Sequence, residues 1–359
     1  MTCEMAGFSE AALLELFERH RNELRLHCYR MLGSSHDADD MLQEVALRAW
    51  RGKGAIESAS SARAWLYRIT TNVCLDEVAR RRTRCLPFEA GPPLTDASSA
   101  PLAADPEAFI EPCPQLWFET AVSDPAARYE ARESVALAFV AALQQLTPTQ
   151  RATLLLRDVV GLSADETARA LELGLQAVNS ALFRARSAVD SKLRDRDRSA
   201  WQPLSAATQS LLARYLAAWN QIDVEAFVAL LHDEVRTTMP PSPTWIAGRV
   251  ANVDFYRPMF GAQRPGSFVA LATAANAVGA FAFYRALSAG EPHRLRAVQL
   301  VDVRDGAIVS IDHFMLPELG PAFGLPSELA PTQVDLALDG RSCLELASEH
   351  FSARVRSHD

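Results

Sequence analysis

The residues most suited to chemistry with a partner lie between positions 62 and 84, where the sequence reads ARAWLYRITTNVCLDEVARRRTR. Guanidinium groups match the geometry of phosphates, and aromatic rings beside them suit unstacked bases. The polar side chains of this stretch are Arg63, Tyr67, Arg68, Asn72, Asp76, Arg80, Arg81, Arg82 and Arg84. They predict contact with a nucleic acid, although a surface helix with a solvated charge run fits the stretch equally well.

A helix has to position these side chains. Leu66, Ile69 and Val73 recur at spacings of three and four, which buries one helical face and leaves the others available. Two further helices are expected before it, over residues 9–33 and 37–50. In the second of these, acidic and amide groups crowd the first turns, where acids favour the helix dipole: Asp37, Asp39, Asp40, Gln43 and Glu44. Its buried stripe is expected to be Met41, Leu42, Val45, Ala49 and Trp50.

A second basic helix follows a short turn near Glu172. The preceding helix begins with a capping box formed by Ser163 and Glu166. The outer face of the second helix carries Asn179, Ser180, Phe183, Arg184 and Arg186, above an inner face of Val178, Leu182, Ala185 and Val189. Two helices joined by a short turn, the second of them basic, predict a helix-turn-helix. Helical hairpins that do not bind DNA are common, so this spacing leaves both possibilities open.

Composition limits the classes of function. A chain of 359 residues has room for two or three domains, and its formal net charge of -8 argues against indiscriminate coating of nucleic acid. The six cysteines lack the spacing of metal ligands, so we expect no metal, no cofactor and no disulfide. The sequence contains neither a long apolar run nor a signal peptide, which predicts a cytoplasmic protein without a membrane span.

The remaining segments differ in character. From Leu86 to Ala127 there are eight prolines and no Lys, Arg or His, which predicts an extended acidic linker. From Leu204 onward, helices at 211–219, 224–231 and 252–260 precede apolar runs at 268–274, 280–287, 295–303 and 308–315. Asp305 and Gly306 predict a hairpin turn between the last two runs. That order indicates an α+β domain in which a curved sheet packs over helices.

Residues 9–194 resemble the extracytoplasmic-function (ECF) group of bacterial RNA polymerase sigma factors. Asp37 to Trp50 follow the pattern DA-[DE]-D-x-x-Q-E-x-x-L-R-A-W of that group, and Trp65 to Asp76 follow W-L-x-x-I-x-x-N-x-x-x-D, with paired arginines shortly after. Leu146 to Arg151 follow LT-P-x-x-R, and Val178 to Arg186 follow V-x-S-x-L-x-R-A-R.

The resemblance implies binding to core RNA polymerase and promoter DNA. It assigns the polymerase contact to Asp39, Asp40, Gln43 and Glu44. It assigns the -10 element to Trp65, Asn72, Asp76, Arg80 and Arg81, and the -35 element to Asn179, Ser180, Phe183, Arg184 and Arg186. The linker is expected to thread a basic channel meant for RNA, where acidic groups are attracted.

One residue departs from the pattern of the group. The first helix of the helix-turn-helix usually ends with a glycine, which suits the left-handed conformation. This chain has Glu172 there, with Gly174 two places later. A non-glycine residue costs roughly 1 kcal/mol in that conformation, so a shifted turn is one possible outcome.

The third segment resembles the cone-shaped SnoaL-like fold that some of these sigma factors carry. The evidence is its layout, the motif PP-x-P-x-W-x-x-G-R and the closing FGLP. Asp312 and His313 invite a catalytic interpretation, but adjacent strand residues point to opposite faces. We therefore expect no enzyme. Four residues are expected to line a pocket for a small apolar ligand or to form core: Trp219, Trp245, Tyr256 and His313.

We thus predict a multidomain protein: two all-α sigma domains, the second a helix-turn-helix, followed by an α+β SnoaL-like domain that regulates them. The expected boundaries are 9–85, a linker at 86–128, 129–195, 204–329, and a C-terminal tail at 330–359. Two rivals remain: an enzyme of the cyclase or isomerase type carried on a DNA-binding module, and an ordinary helix-turn-helix repressor that would leave residues 37–84 without a role.

Overall fold

The structure is a computed structural model that describes residues 9–53, 59–94, 104–119, 136–193, 205–263, 266–276, 278–288, 290–331 and 333–334. The chain divides into two compact units. Unit 1 comprises Met1–Arg84 and Leu116–Asp197, and unit 2 comprises Cys85–Gln115 and Arg198–Asp359. Most of the predicted tail, from 335 onward, lies outside the described residues.

Unit 1 begins with three helices: α1 (Glu10–Leu32), α2 (Ser35–Gly52) and α3 (Ala59–Val78). Local chemistry sets their ends. Ser9 and Ser34 cap the first two helices by accepting hydrogen bonds from backbone N–H groups of the first turn. Gly33 ends α1 in the left-handed conformation, with a φ of 74° that glycine adopts without strain.

The short helices α4 (Pro87–Ala90) and α5 (Gln115–Glu119) lie in the linker region that was expected to be extended. Then come α6 (Leu137–Gln144), α7 (Pro148–Leu154), a π-helical turn (Leu155–Val159), α8 (Ala164–Leu171) and α9 (Leu175–Leu193). Ser163 and Glu166 form the predicted capping box of α8, and the hydrogen bonds from Ser163 lower the pKa of Glu166.

One apolar core runs through unit 1. Leu24, Leu42, Val45 and Leu66 of the first three helices are buried together with residues contributed by the later ones. The later residues are Leu156, Val160, Leu162 and Ala170. Burying a leucine-sized side chain contributes roughly 1.5–3 kcal/mol, so this shared core holds the first three helices and the helix-turn-helix together in the described structure.

Unit 2 contains α10 (Ala206–Gln221), α11 (Val224–Val228), β1 (Leu231–Thr238), β2 (Trp245–Ala247), α12 (Arg249–Gly261), β3 (Phe268–Ala275), β4 (Val278–Arg285), β5 (His293–Arg304), β6 (Ala307–Phe314), a 3-10 helix (Pro317–Phe323) and β7 (Glu328–Leu329). The seven strands that the structure describes form one sheet in the order β2-β1-β6-β5-β4-β3, with β7 beside β5. β1 and β6 run parallel, and the other pairs are antiparallel.

The sheet packs over α10 and α12 around an aromatic core. A Cβ atom on Gly279 of β4 would come within 2.6 Å of a methyl group of Leu212 on α10, so a larger residue there would require the Leu212 side chain to shift. The predicted hairpin turn between β5 and β6 is present. Asp305 and Gly306 both have positive φ, 49° and 75°, as a type I′ turn requires.

Candidate polymerase and nucleic-acid interface

The acidic helix α2 presents a continuous exposed stripe. Asp40 and Gln43 are exposed one turn apart. Leu47 and Trp50 continue the stripe at helical spacing, with exposed fractions of 52% and 48%. The prediction that Trp50 belongs to the buried stripe is therefore wrong. The exposure of Leu47 was not predicted, although its spacing from Asp40 and Gln43 places it on the same helical face.

The other two predicted polymerase contacts are engaged within unit 1. Asp39 lies 2.7 Å from Nε of Arg25 on α1, and its burial raises its pKa despite this partner. Glu44 accepts a hydrogen bond of 2.8 Å from Arg48, which also donates to Asp76 of α3 at 2.8 Å. Both carboxylates raise the pKa of Arg48. Asp39 and Glu44 thus stabilise the helix packing, and Asp40 and Gln43 remain on the outside.

The arginines after α3 divide into two groups. Arg81 and Arg84 each donate to the buried Asp37 at 2.8 Å, and Arg81 also pairs with Glu77. The side chain of Arg84 is only 5% exposed, so the expectation that it contacts phosphate is wrong: it holds the segment after α3 against Asp37 of α2. Arg80 and Arg82 point outward, and the Arg80 side chain is 67% exposed.

Helix α3 itself presents the residues assigned to the -10 element. Trp65, Asn72 and Asp76 share one side of the helix by their spacing of seven and four. Trp65 and Asn72 are half-buried, and Asp76 is exposed.

The helix-turn-helix consists of α8, a short turn and α9. Glu172 ends α8 in the left-handed conformation, with φ 55° and ψ 40°, and its backbone N–H donates to the carbonyl of Ala168. The turn has therefore not shifted to Gly174. Glu172 takes the conformation that glycine usually supplies.

The outer face of α9 forms one open hollow. Its lining residues are Gln176, Asn179, Ser180, Phe183 and Arg184. Phe183 is 76% exposed, an unusual position for an aromatic ring without a partner surface. Gln176 was not predicted, although it precedes Asn179 by one turn. Arg186 stands apart, because it forms a bidentate ion pair with Asp158 at 2.7 and 2.8 Å that raises its pKa.

In unit 2, three of the four predicted pocket residues come together. Trp219, Tyr256 and His313 belong to one ring cluster, in which Trp219 lies 4.7 Å from Phe260 and 4.8 Å from Phe283 between ring centroids. Trp245 does not line this cluster. It pairs with Thr238 on the outer face of the sheet, while its neighbour Ile246 is buried in the interior.

A directed chain of hydrogen bonds crosses this apolar core. Tyr215 donates to Gln299, whose amide donates to Nδ1 of His313. Nε2 of His313 lies 2.7 Å from the hydroxyl of Tyr256. A proton added at Nδ1 would face the Gln299 amide donor, and burial lowers the pKa of His313 from 6.5 to about 3. His313 is therefore neutral at physiological pH.

Asp312 points away from His313, as the strand alternation predicts. It accepts hydrogen bonds from Thr238 at 2.7 Å and from Ser310 at 2.9 Å. The two residues therefore form no acid and base pair inside the cone.

The linker segment 85–115 packs as part of unit 2. The Trp245 indole N–H donates to the carbonyl of Gly91 at 2.8 Å, and the guanidinium of Arg236 lies 3.8 Å from the Phe88 ring centroid. At the other end, Cys113 accepts from the Asn276 backbone N–H at 3.0 Å and donates to the Asn276 side chain at 2.6 Å. Both ends of the described segment are thus attached to the domain that was expected to be regulatory.

Comparison with known proteins identifies the family. Residues 16–84 match Sigma-70 region 2, residues 136–189 match Sigma-70, region 4, and residues 212–311 match the SnoaL-like domain. The ECF RNA polymerase sigma factor SigG of Mycobacterium tuberculosis is 39% identical over 312 residues, which cover 87% of this chain and 83% of SigG. The chain belongs to the ECF RNA polymerase sigma factors. Its function is promoter-specific transcription initiation, and the expectation from the sequence is confirmed.

Two further relatives agree with this assignment. SigM of M. tuberculosis is 31% identical over 173 residues, which cover 48% of this sigma factor and 72% of SigM. The crystal structure of M. tuberculosis SigJ has the same fold, with a TM-score of 0.54 at 21% identity, over 86% of this chain and 98% of SigJ. The predicted fold class is confirmed: helical sigma domains followed by a mixed α and β SnoaL-like domain. Among the described residues, no helix is long and apolar enough to span a membrane.

Proposed function

We propose that this sigma factor binds core RNA polymerase through the exposed stripe of α2, reads promoters with α3 and α9, and is regulated by its SnoaL-like domain through the linker. The observation that carries the proposal is the outward-facing set of residues on α2 and α9, because nothing in the described part of the chain covers them. Such a protein acts in the cytoplasm, where bacterial RNA polymerase works.

For the polymerase contact we propose Asp40 and Gln43, extended by Leu47 and Trp50. This combination of polar groups and exposed apolar side chains is typical of a protein interface. Asp39 and Glu44 act indirectly: Asp39 pairs with Arg25 of α1, and Glu44 holds Arg48, which pairs with Asp76 of α3.

For the promoter we propose two sets of contacts. Arg80 and Arg82 contact phosphates beyond α3, while Trp65, Asn72 and Asp76 lie at the -10 bases; Arg81 supports them from its pair with Asp37. At the -35 element, the reading face is Gln176, Asn179, Ser180, Phe183 and Arg184. Arg186 orients α9 through Asp158 and contributes its remaining donors to the backbone of the DNA.

The SnoaL-like domain regulates by holding the linker. Residues 85–115 connect the two sigma domains, so a domain that binds this segment controls how far those domains separate. The contacts of Trp245, Arg236 and Asn276 with the linker support this role.

We assign no enzymatic activity to the SnoaL-like domain. Aromatic rings pack around Trp219 in its interior, and the described residues that hydrogen-bond His313 are Tyr256 and Gln299 rather than a carboxylate. The rival function, a cyclase or isomerase on a DNA-binding module, would need such a pair. A small apolar ligand would have to displace rings of this cluster, so a filled core is the interpretation that the contacts favour.

The test of the regulatory role uses the full chain. Trp245→Ala removes both the indole N–H that donates to Gly91 and the ring beside Phe88, whereas Trp245→Phe removes the N–H and keeps a ring, which separates the hydrogen bond from the ring contact. We expect Trp245→Ala to change the yield of run-off transcription at least about twofold, corresponding to a loss of roughly 0.5–1 kcal/mol of linker binding. Equal yields from both variants and wild type on every promoter would contradict control through the linker.

A further inference from the structure

The turn of the helix-turn-helix places Glu172 in a backbone conformation that disfavours residues other than glycine. Glu172 adopts a left-handed conformation that suits glycine, and the turn needs only its backbone, whose N–H bonds Ala168. The side chain of Glu172 is 72% exposed and plays no part in closing α8. Glycine at this position would end the helix with less strain.

The carboxylate of Glu172 instead reaches the other DNA-binding domain. Its Oε1 accepts a hydrogen bond of 2.9 Å from Nη2 of Arg68, on the helix α3 that carries the -10 residues. The two residues are 104 positions apart in sequence. The residue that departs from the family pattern thus forms an ion pair between the -35 reader and the -10 reader.

This ion pair lies at the edge of a larger contact between region 2 and region 4. Arg63, also on α3, donates to the carbonyl of Val160 at 3.2 Å. On the region 4 side, Arg151 is 3% exposed and donates to the carbonyl of Met31 at the end of α1. The shared apolar core lies between these polar contacts. Unit 1 is therefore a closed arrangement of the two readers.

The closed arrangement cannot occupy both promoter elements. Promoter positions -10 and -35 lie about 25 base pairs apart, or about 85 Å along B-form DNA at about 3.4 Å per base pair. In unit 1 the turn before the -35 helix touches the -10 helix. Promoter binding at both elements therefore requires the two readers to separate, and every contact between them opposes that step.

We propose that Glu172 and Arg68 form an electrostatic latch that favours the closed state of the free sigma factor and must break when the two readers separate on core polymerase. The inference rests on the proposed function, in which region 2 and region 4 bind core together. If only a fraction of the free chain is open, its apparent Kd for core equals the intrinsic Kd divided by that fraction. Weakening the latch should therefore tighten binding to core without altering any contact with it.

The main experiment titrates fluorescently labelled full-length protein with purified core polymerase at low salt. Both partners of the latch are partly exposed, and such pairs shift an equilibrium by at most about fivefold. We expect Glu172→Gln and Glu172→Gly to lower the apparent Kd two- to fivefold. The reversed pair, Arg68→Glu with Glu172→Arg, should return it to the wild-type value, and high salt should abolish the differences. A Kd for Glu172→Gln equal to that of wild type, or no rescue by the reversed pair, would overturn the proposal.

A second measurement tests the latch without polymerase. Thermal unfolding of wild type, Arg68→Gln, Glu172→Gln and the double variant forms a double-mutant cycle. If the latch exists, the effects of the two substitutions on the unfolding equilibrium should be coupled by up to about fivefold. Additive effects of the two substitutions would overturn the proposal. If the cycle shows coupling while wild type fails to bind core at all, the proposed function has failed and the contact between the readers stands.

Discussion

His313 offers the sharpest test of the interior of the SnoaL-like domain, because its surroundings leave no place for a second proton. Its Nδ1 accepts from Gln299, and its Nε2 bonds Tyr256. Burial lowers its pKa from 6.5 to about 3. We predict that His313 makes this domain sensitive to acid, and that His313→Gln, which retains an amide donor and acceptor, removes this sensitivity.

The sign and size follow from proton linkage. Because the folded pKa is depressed, the unfolded chain binds an additional proton between pH 6.5 and about 3. Stability is complete above this window and falls as the pH is lowered through it. Between pH 7 and pH 5, a histidine with these two pKa values reduces the free energy of unfolding by about 2 kcal/mol.

The assay is urea unfolding of the full chain at pH 7 and pH 5, with pulsed hydrogen exchange and mass spectrometry on peptides of β4, β5 and β6. Reading these peptides separates unit 2 from unit 1, where burial lowers the pKa of His27 to about 3 as well. Between pH 7 and pH 5, the free energy of unfolding of the wild-type chain should fall by about 2 kcal/mol more than that of His313→Gln. Equal losses would refute the argument that the core holds His313 neutral, and would reopen a hydrated or ligand-filled cone.

The remaining predictions concern the contacts described above. Arg151→Met should destabilise unit 1 by about 3 kcal/mol, because several buried carbonyls lose their donor; thermal unfolding checks this, and a loss near zero would contradict it. Asn276→Ala should free the Cys113 end of the linker and speed its cleavage by protease, at a cost of about 1–2 kcal/mol; unchanged cleavage would speak against attachment there. Asp40→Ala with Gln43→Ala should weaken core binding about tenfold without changing the melting temperature, and full affinity in a titration would remove α2 from the interface. Arg184→Ala should reduce discrimination at one -35 position by about 1–3 kcal/mol; identical base preferences for variant and wild type would show that α9 is placed wrongly.

Elements with strong local signals could be predicted from the sequence. Ser163 and Glu166 fixed the start of α8 through neighbours three residues apart, and Asp305 with Gly306 specified the hairpin because only a few residues tolerate positive φ. Strand β1 was missed because its sequence, LHDEVRTT, carries polar residues on the face opposite the core, and its partner strand β6 lies far along the chain.

Long-range pairing could not be predicted. The role of Asp37 depends on Arg81 and Arg84, which lie 44 and 47 positions away. The attachment of the linker depends on Asn276, which lies 163 positions from Cys113. Trp245 was assigned to the interior because its type suits a pocket. The face of the sheet to which the Trp245 side chain points is set by the register of β2 on β1. This register follows from the strand pairing and cannot be read from the residue type.

We expect this chain to direct promoter-specific initiation through the outward faces of α2 and α9. Run-off transcription with purified core RNA polymerase tests it most directly, on templates that carry a selected promoter and on the same templates with the -35 element scrambled. We predict a discrete transcript that requires the full-length protein, disappears with the scrambled element and is reduced by Arg184→Ala. The opposite result would be that adding the protein does not change transcription by core polymerase, although the protein is folded and binds core. That result would contradict this role.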